Sequence, residues 1–250
     1  MPDLDPVFLQ TPLAHRGLHD REAGIVENSV SAVAAAIEAG YGIEIDVQLT
    51  SDGEAAVFHD ATLDRLTAAA GPVRAETMSA LSALPLTGSR DTIPSLAEIL
   101  ELVGGRAPLL IELKNQRPED AGLLETRVAE YLVTYRGPVA AMSFDPSMVG
   151  RLATADIPRG LTTCRFDDDT HFGHLSREIR QRLAAITDFD AVDASFISHD
   201  WRTLDDAPVQ ALKQRGTPIL CWTIRSAEEE RIARRTADTI TFEGYMPQPG

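Results

Sequence analysis

Two periods of hydrophobic and polar positions take turns along this chain. Short apolar, β-branched runs recur, and the stretches between them carry helical spacing. The first run is residues 11–15. An Ala-rich stretch follows Glu27-Asn28-Ser29 and closes at Gly40. Asn or Ser suits a helix start and Gly its end, so this stretch predicts a helix. Over residues 43–49 the alternation is strict. Ile43, Ile45, Val47 and Leu49 fall on one side and Glu44, Asp46 and Gln48 on the other, which is the period of a strand. Ser51-Asp52-Gly53 is a tight turn before a further strand at 55–59. A parallel crossover needs a dozen or more residues, so these two strands are expected to pair as an antiparallel hairpin.

Residues 60 to about 106 form a variable region with short helical pieces near 77–84 and 95–103, the second opened by Pro94 and Ser95. Alternation then resumes. Strands are predicted at 108–114, 138–143, 159–163, 191–196, 218–223 and 238–242. Helices are predicted at about 119–135, 146–153, 176–186, 205–215 and 226–235. Leaving out the hairpin's return strand, eight strands separated by helices remain, with no shift of composition along the chain. That pattern predicts an α/β fold closed into a (β/α)8 TIM barrel, one domain over residues 1–250, in preference to an open doubly wound sheet.

Composition narrows the function classes. The chain has 250 residues, 44% of them hydrophobic, enough for one sizeable core. Its net charge of −15 argues against nucleic acid and against stable association with anionic membranes, both of which need a basic footprint. A small anionic substrate stays open, because a local cluster of Arg, Lys and metal overrides the global field. Cys164 and Cys221 are the only cysteines, which excludes a disulfide framework and any CxxC metal spacing. Residues 1–12 lack the basic start and apolar run of a signal peptide, and no apolar run approaches the roughly 20 residues of a membrane span. A soluble cytoplasmic protein is expected. The acidic runs at 167–169 and 228–230 read as solvated loop and helix surface.

In such a barrel the active site sits at the C-terminal ends of the strands. His15-Arg16-Gly17 ends the first strand. Glu44 and Asp46 share a face of the second, and Glu112 and Lys114 share a face of the next. The hairpin returns His59-Asp60 to the same end, and the penultimate strand ends at Trp222-Thr223. Three carboxylates in a barrel mouth repel one another and resist desolvation. A hard divalent cation, Mg²⁺ or Ca²⁺, compensates them most simply; pairing with Lys114 or Arg16 is the alternative. His15 and His59 flank this cluster and suit proton transfer near neutral pH. Arg16 and Lys114 either hold a phosphodiester or bridge the acids. Trp222 either fills the barrel core or walls a small apolar or sugar-like moiety. Asn28 is read as a helix cap, Glu27 as support for that helix start, and Asp60 as a partner of His59 or a cap.

Together these residues resemble the glycerophosphodiester phosphodiesterase family. The matching stretches are residues 14–17 (AHRG), 27–29 (ENS), 44–47 (EIDV), 50–53 (TSDG) through 57–60 (VFHD), 111–114 (IELK) and 221–223 (CWT). They run in order from residue 13 to about 240. The resemblance implies a barrel of the phosphatidylinositol-phosphodiesterase type with an inserted segment after the second strand, about 54–106 here. It implies hydrolysis of glycerophosphodiesters, as in lipid metabolism, to glycerol 3-phosphate and an alcohol. His15 and His59 would be the acid/base pair, Glu44, Asp46 and Glu112 the ligands of one Mg²⁺ or Ca²⁺, and Arg16 and Lys114 the phosphate holders. Trp222 would line the substrate site. The neighbouring glycerol hydroxyl would attack first, giving a cyclic phosphate that water opens. Three departures stand out. Glu243 replaces the usual Asp of the final strand, which bears on substrate choice. Arg225 replaces an Asn and is read as an anion contact or a helix cap. The 164–174 loop, with His171 and His174, has no family counterpart and reads as a solvated loop instead of a second cation site. Two further readings are carried: a phospholipase-D-like or lysophospholipase D activity on the same barrel, and a non-catalytic binding protein.

Overall fold

The computed structural model describes residues 2–248. Helix α1 (Val7–Gln10) precedes strand β1 (Leu13–Ala14), then α2 (Val30–Glu38), β2 (Gly42–Leu49) and the return strand β3 (Ala55–Val57). Helices α3 (Met78–Leu81) and α4 (Leu96–Val103) lead to β4 (Leu109–Leu113) and α5 (Leu123–Leu132). The alternation continues through β5 (Val139–Ser143), α6 (Pro146–Arg151), β6 (Arg159–Thr163), α7 (Asp169–Phe172), α8 (Arg177–Ala184), β7 (Phe196–Asp200), α9 (Ala207–Gln214), β8 (Ile219–Ile224), α10 (Ala227–Ala233) and β9 (Thr239–Phe242). Eight strands pair in parallel in the order β1-β9-β8-β7-β6-β5-β4-β2, and β1 pairs with β2 to close the ring. β3 lies antiparallel on β2. The fold is the expected (β/α)8 barrel with its hairpin. Among the described residues no helix is long and apolar enough to cross a membrane.

Side-chain alternation sorts each strand into two layers. Ile43, Ile45, Val47 and Leu49 of β2, with Leu109, Ile111 and Leu113 of β4, pack outward against the helices in the largest core cluster. Leu110, Ala140, Phe196 and Leu220 point inward and fill the lower barrel above Phe8 of α1. Gly160 on β6 makes room for this plug, since a Cβ there would collide with the ring of Phe196. The segment after β3 wraps a separate small core around Phe58, Leu63, Leu81 and Ile93. The inner face of the upper barrel is left to polar residues, and that is where the site lies.

Several local expectations are corrected. The strand expected at 191–196 lies at Phe196–Asp200 instead, and the residues before it form turns. Ser198, His199 and Asp200 hide it because they read as loop residues, yet all are buried. The ring of His199 spans Thr163 Oγ1 at 2.8 Å and Thr203 Oγ1 at 2.9 Å, so its polar atoms are satisfied inside. The helix expected over 119–135 begins at Leu123, because Gly122 takes a left-handed φ of 88° that ends the preceding 3-10 turn. Ser29, and not Asn28, caps α2 by accepting the Ala32 N–H at 3.1 Å. The 164–174 loop is only partly solvated: it contains α7, and Cys164 and Phe166 are buried.

Candidate active site

A cavity of about 790 Å³ opens at the C-terminal ends of the strands. His15, Arg16, Glu44, Asp46, His59, Glu112, Lys114 and Trp222, all singled out from the sequence, line it together. The register explains the acids. Asp46 of β2 sits directly across from Glu112 of β4, and Glu44 precedes Asp46 by two residues on the same face. Oxygens of the three carboxylates lie within 4.8 Å of one another, and all three residues are buried.

Two residues in left-handed conformations hold this cluster. Arg16 has φ 56° and Asn28 φ 58°, and the Asn28 N–H donates to the Arg16 carbonyl at 2.8 Å. The Arg16 N–H donates to Glu44 Oε2 at 3.0 Å. Asn28 grips Asp46 twice: its Nδ2 donates to Asp46 Oδ2 at 2.9 Å, and its Oδ1 accepts the Asp46 N–H at 3.1 Å. Gly17, at φ 77°, follows Arg16 because any Cβ would strike Ala32 of α2 at 2.8 Å. The expected cap role of Asn28 is thus replaced by a direct hold on a candidate ligand.

Electrostatics divides the acids. Burial, then the charges of Asp46 and Glu112, push the Glu44 carboxyl well above its usual range. Burial opposes ionisation of Asp46 as well, but Lys114, His59 and Arg16 outweigh it and hold Asp46 below its usual range. Lys114 Nζ lies 2.6 Å from Asp46 Oδ1 and also contacts Glu112. Those two acids overcome its burial and keep it protonated. Arg16 donates through NH1 to Glu27 Oε1 at 2.6 Å, and its buried Nε lies 3.4 Å from Asp46 Oδ2. Three convergent hard oxygens, one of them pushed toward protonation by burial and then by its acidic neighbours, suit a divalent cation that would offset both.

Each histidine is held by a carboxylate through Nδ1. Closure of the barrel between β1 and β9 lets the His15 N–H reach the Phe242 carbonyl at 2.9 Å, and His15 Nδ1 then lies 2.5 Å from Glu243 Oε2. Glu243 also meets Arg225 NH2 at 2.6 Å and His19 Nε2 at 3.6 Å. The hydrogen bond from His15, with the contacts to His19 and Arg225, outweighs burial and holds its carboxyl far below the usual range. Glu243, which from the sequence bears on substrate choice, here contacts His15, and Arg225 contacts Glu243. His59 Nδ1 lies 2.7 Å from Asp60 Oδ1, on a hairpin end tied down by Phe58 N–H to the Asp46 carbonyl at 3.0 Å and Gln48 Nε2 to the His59 carbonyl at 2.9 Å. An ionised carboxylate only accepts, so both rings carry their proton on Nδ1 when neutral and present the Nε2 lone pair. Burial lowers the pKa of both imidazoles, with Arg16 adding to the effect at His15 and Lys114 at His59.

The opposite wall is aromatic. Trp222 donates its Nε1–H to the Ser198 carbonyl at 2.9 Å and meets Phe144 edge-to-face at 5.6 Å. Phe144 in turn lies 6.0 Å from Phe166 and 5.9 Å from Phe172. The sequence reading passed over these three phenylalanines. Phe144 stands just past the end of β5, the position in a barrel strand that reaches the mouth, and this was the signal available.

The model of the Glycerophosphoryl diester phosphodiesterase family matches residues 15–241. A glycerophosphodiester phosphodiesterase of Caldanaerobacter subterraneus subsp. tengcongensis is 39% identical over 113 residues, 41% of this chain and 44% of that protein. One from Bacillus altitudinis is 40% identical over 129 residues, 48% of this chain and 51% of the relative. The chain thus spans about half the length of these curated relatives in the matched region. An Oleispira antarctica phosphodiesterase, solved in complex with the product sn-glycerol-3-phosphate, has a TM-score of 0.76 at 21% identity and covers 96% of this chain and 95% of its own. A glycerophosphodiester phosphodiesterase from Thermotoga maritima has a TM-score of 0.70 at 25% identity over 92% of each chain. The structural likenesses extend around the whole barrel, and the family match begins at His15, just after β1, and ends on β9, which pairs with β1. The chain belongs to the glycerophosphoryl diester phosphodiesterase family.

Proposed function

We propose that this protein hydrolyses glycerophosphodiesters to glycerol 3-phosphate and an alcohol, using one divalent cation, Mg²⁺ or Ca²⁺. The observation that carries the reading is the pairing of two carboxylate-held imidazoles with three convergent acids around one cavity. Glu44, Asp46 and Glu112 would hold the cation, which when bound neutralises phosphoryl charge and acidifies a nearby hydroxyl. Arg16 and Lys114 bind the phosphate, exchanging part of their present contacts with Asp46 and Glu112 for its oxygens. One histidine, through Nε2, takes the proton of the glycerol 2-hydroxyl as that oxygen bonds to phosphorus. The other, entering as imidazolium, gives its Nε2 proton to the departing alcohol oxygen as its bond to phosphorus breaks. Water then opens the cyclic phosphate with the two roles exchanged. The buried, unpaired Cys164 and Cys221 fit a reducing, cytoplasmic setting.

The test is release of glycerol 3-phosphate from glycerophosphocholine. Release that EDTA abolishes and Mg²⁺ or Ca²⁺ restores is expected. No release, or release of choline phosphate, overturns the reading. A second substrate class is favoured by an adjoining cavity of about 470 Å³ whose lining includes Phe166, Leu175, Ile179 and Leu183. Glu112, Lys114, Phe144 and Phe172 line both cavities, so an acyl chain on the glycerol would have an apolar berth beside the phosphate. Choline release from lysophosphatidylcholine would identify this lysophospholipase D activity, and its absence would discard it.

A further inference from the structure

Arg65 belongs to no motif used above, yet it stands between two groups on which the proposed chemistry depends. It follows β3 and the His59-Asp60 pair, while Glu27 approaches from the loop before α2. Its guanidinium forks onto both carboxylates. Nε donates to Asp60 Oδ2 at 2.6 Å and NH2 to Asp60 Oδ1 at 2.9 Å. NH1 donates to Glu27 Oε2 at 2.8 Å and NH2 to Glu27 Oε1 at 2.8 Å. Asp60 Oδ1 is the atom that holds His59 Nδ1, and Glu27 Oε1 is the atom that holds Arg16 NH1. An unbroken chain of hydrogen bonds therefore runs His59–Asp60–Arg65–Glu27–Arg16.

The Arg65 side chain is 43% exposed, caps no helix and lies on the solvent side of this chain of contacts. An exposed ion pair alone stabilises a fold little. Two bidentate forks, however, fix the plane and direction of both carboxylates. Burial would raise Asp60 and Glu27, but the Arg65 hydrogen bonds outweigh it, so both titrate at about 2 and stay ionised as anchors.

We propose that Arg65 is a positioning residue that sets the ring orientation of His59 and the guanidinium of Arg16 together, coupling proton transfer to phosphate binding. The proposal rests on the roles assigned to His59 and Arg16 above. A lysine cannot replace Arg65, since one ammonium point charge does not serve two planar forks.

The test measures kcat and KM for glycerol 3-phosphate release by the full-length protein with saturating Mg²⁺. Arg65→Ala and Arg65→Lys are each expected to lower kcat about 10- to 100-fold, the usual cost of losing a partner that orients a reacting group, and to raise KM severalfold. Circular dichroism at the assay temperature should show that both variants remain folded. Added guanidinium should restore part of the Arg65→Ala rate. In an Asp60→Asn, Glu27→Gln background, removing Arg65 should change kcat by less than about twofold, because nothing remains for it to orient. Arg65→Lys carries the test if Arg65→Ala does not fold. Wild-type kcat and KM in Arg65→Lys overturn the proposal, as does a full loss that persists in the double-carboxylate background. His59→Ala separates the two levels. An active His59→Ala defeats the proposed function's acid/base assignment itself. An inactive His59→Ala beside a wild-type-like Arg65→Lys defeats only the role of Arg65.

Discussion

Replacing Glu243 by glutamine removes the charge that holds His15 and changes nothing in the cation cluster. The side chain sits 2.5 Å from His15 Nδ1 and 2.6 Å from Arg225, so the amide of the Glu243→Gln variant would keep the length but not the charge. A hydrogen bond to a charged group of this kind contributes about 1.5–3 kcal/mol. It strengthens as His15 becomes imidazolium, so its loss falls on the barrier and not on substrate binding. At about 1.36 kcal/mol per tenfold, kcat should drop about 10- to 150-fold. An amide turned with its NH₂ toward the ring would also force the His15 proton onto Nε2, which adds to the loss. Glu243→Asp keeps the charge but falls short by one methylene, so it should recover only part of the rate. The assay is steady-state glycerol 3-phosphate release with saturating cation, alongside circular dichroism to confirm the fold. A Glu243→Gln kcat within about threefold of wild type would refute the reasoning, because it would place the worth of this contact below the lower limit for a charged hydrogen bond.

Two further outcomes follow from the site. Asn28→Ala leaves the buried Asp46 carboxylate without its 2.9 Å donor and the Asp46 N–H without its acceptor. It should weaken Mg²⁺ affinity and lower stability by about 1–3 kcal/mol, read by calorimetric titration and chemical denaturation; unchanged values in both would remove Asn28 from the site. Asp60 and Glu27, held near 2 in the folded state, bind fewer protons there than in the unfolded chain, where they titrate near 4. Their contribution is therefore present above about pH 4 and is lost as pH falls toward 2. Arg65→Ala, by releasing both, should move the acid-unfolding midpoint upward; an unmoved midpoint would show that the Arg65 forks do not depress these carboxyls.

The residues themselves announced those parts of the protein governed by short-range periodicity. Alternation over 43–49 identified β2 and put Glu44 and Asp46 on one face, because a pleated strand repeats every two residues whatever surrounds it. The rule that barrel chemistry gathers at strand C-termini then brought His15, His59, Glu112, Lys114 and Trp222 to the same rim. Where polar residues are buried, that reading failed: Ser198, His199 and Asp200 look like loop and form β7, since their partners lie on other segments. Contacts made by closure of the ring were likewise invisible. Glu243 reaches His15 across 228 positions only because β9 pairs with β1, and Arg65 reaches Glu27 across 38 because a loop folds back over the rim. A charged side chain states in sequence that it needs a counterion, but not which one. Local pattern thus decided the layers, the reacting groups and the adjacent Asp60 partner of His59, while the tertiary fold alone decided which acid orients His15, since that choice depends on distances set by the whole barrel.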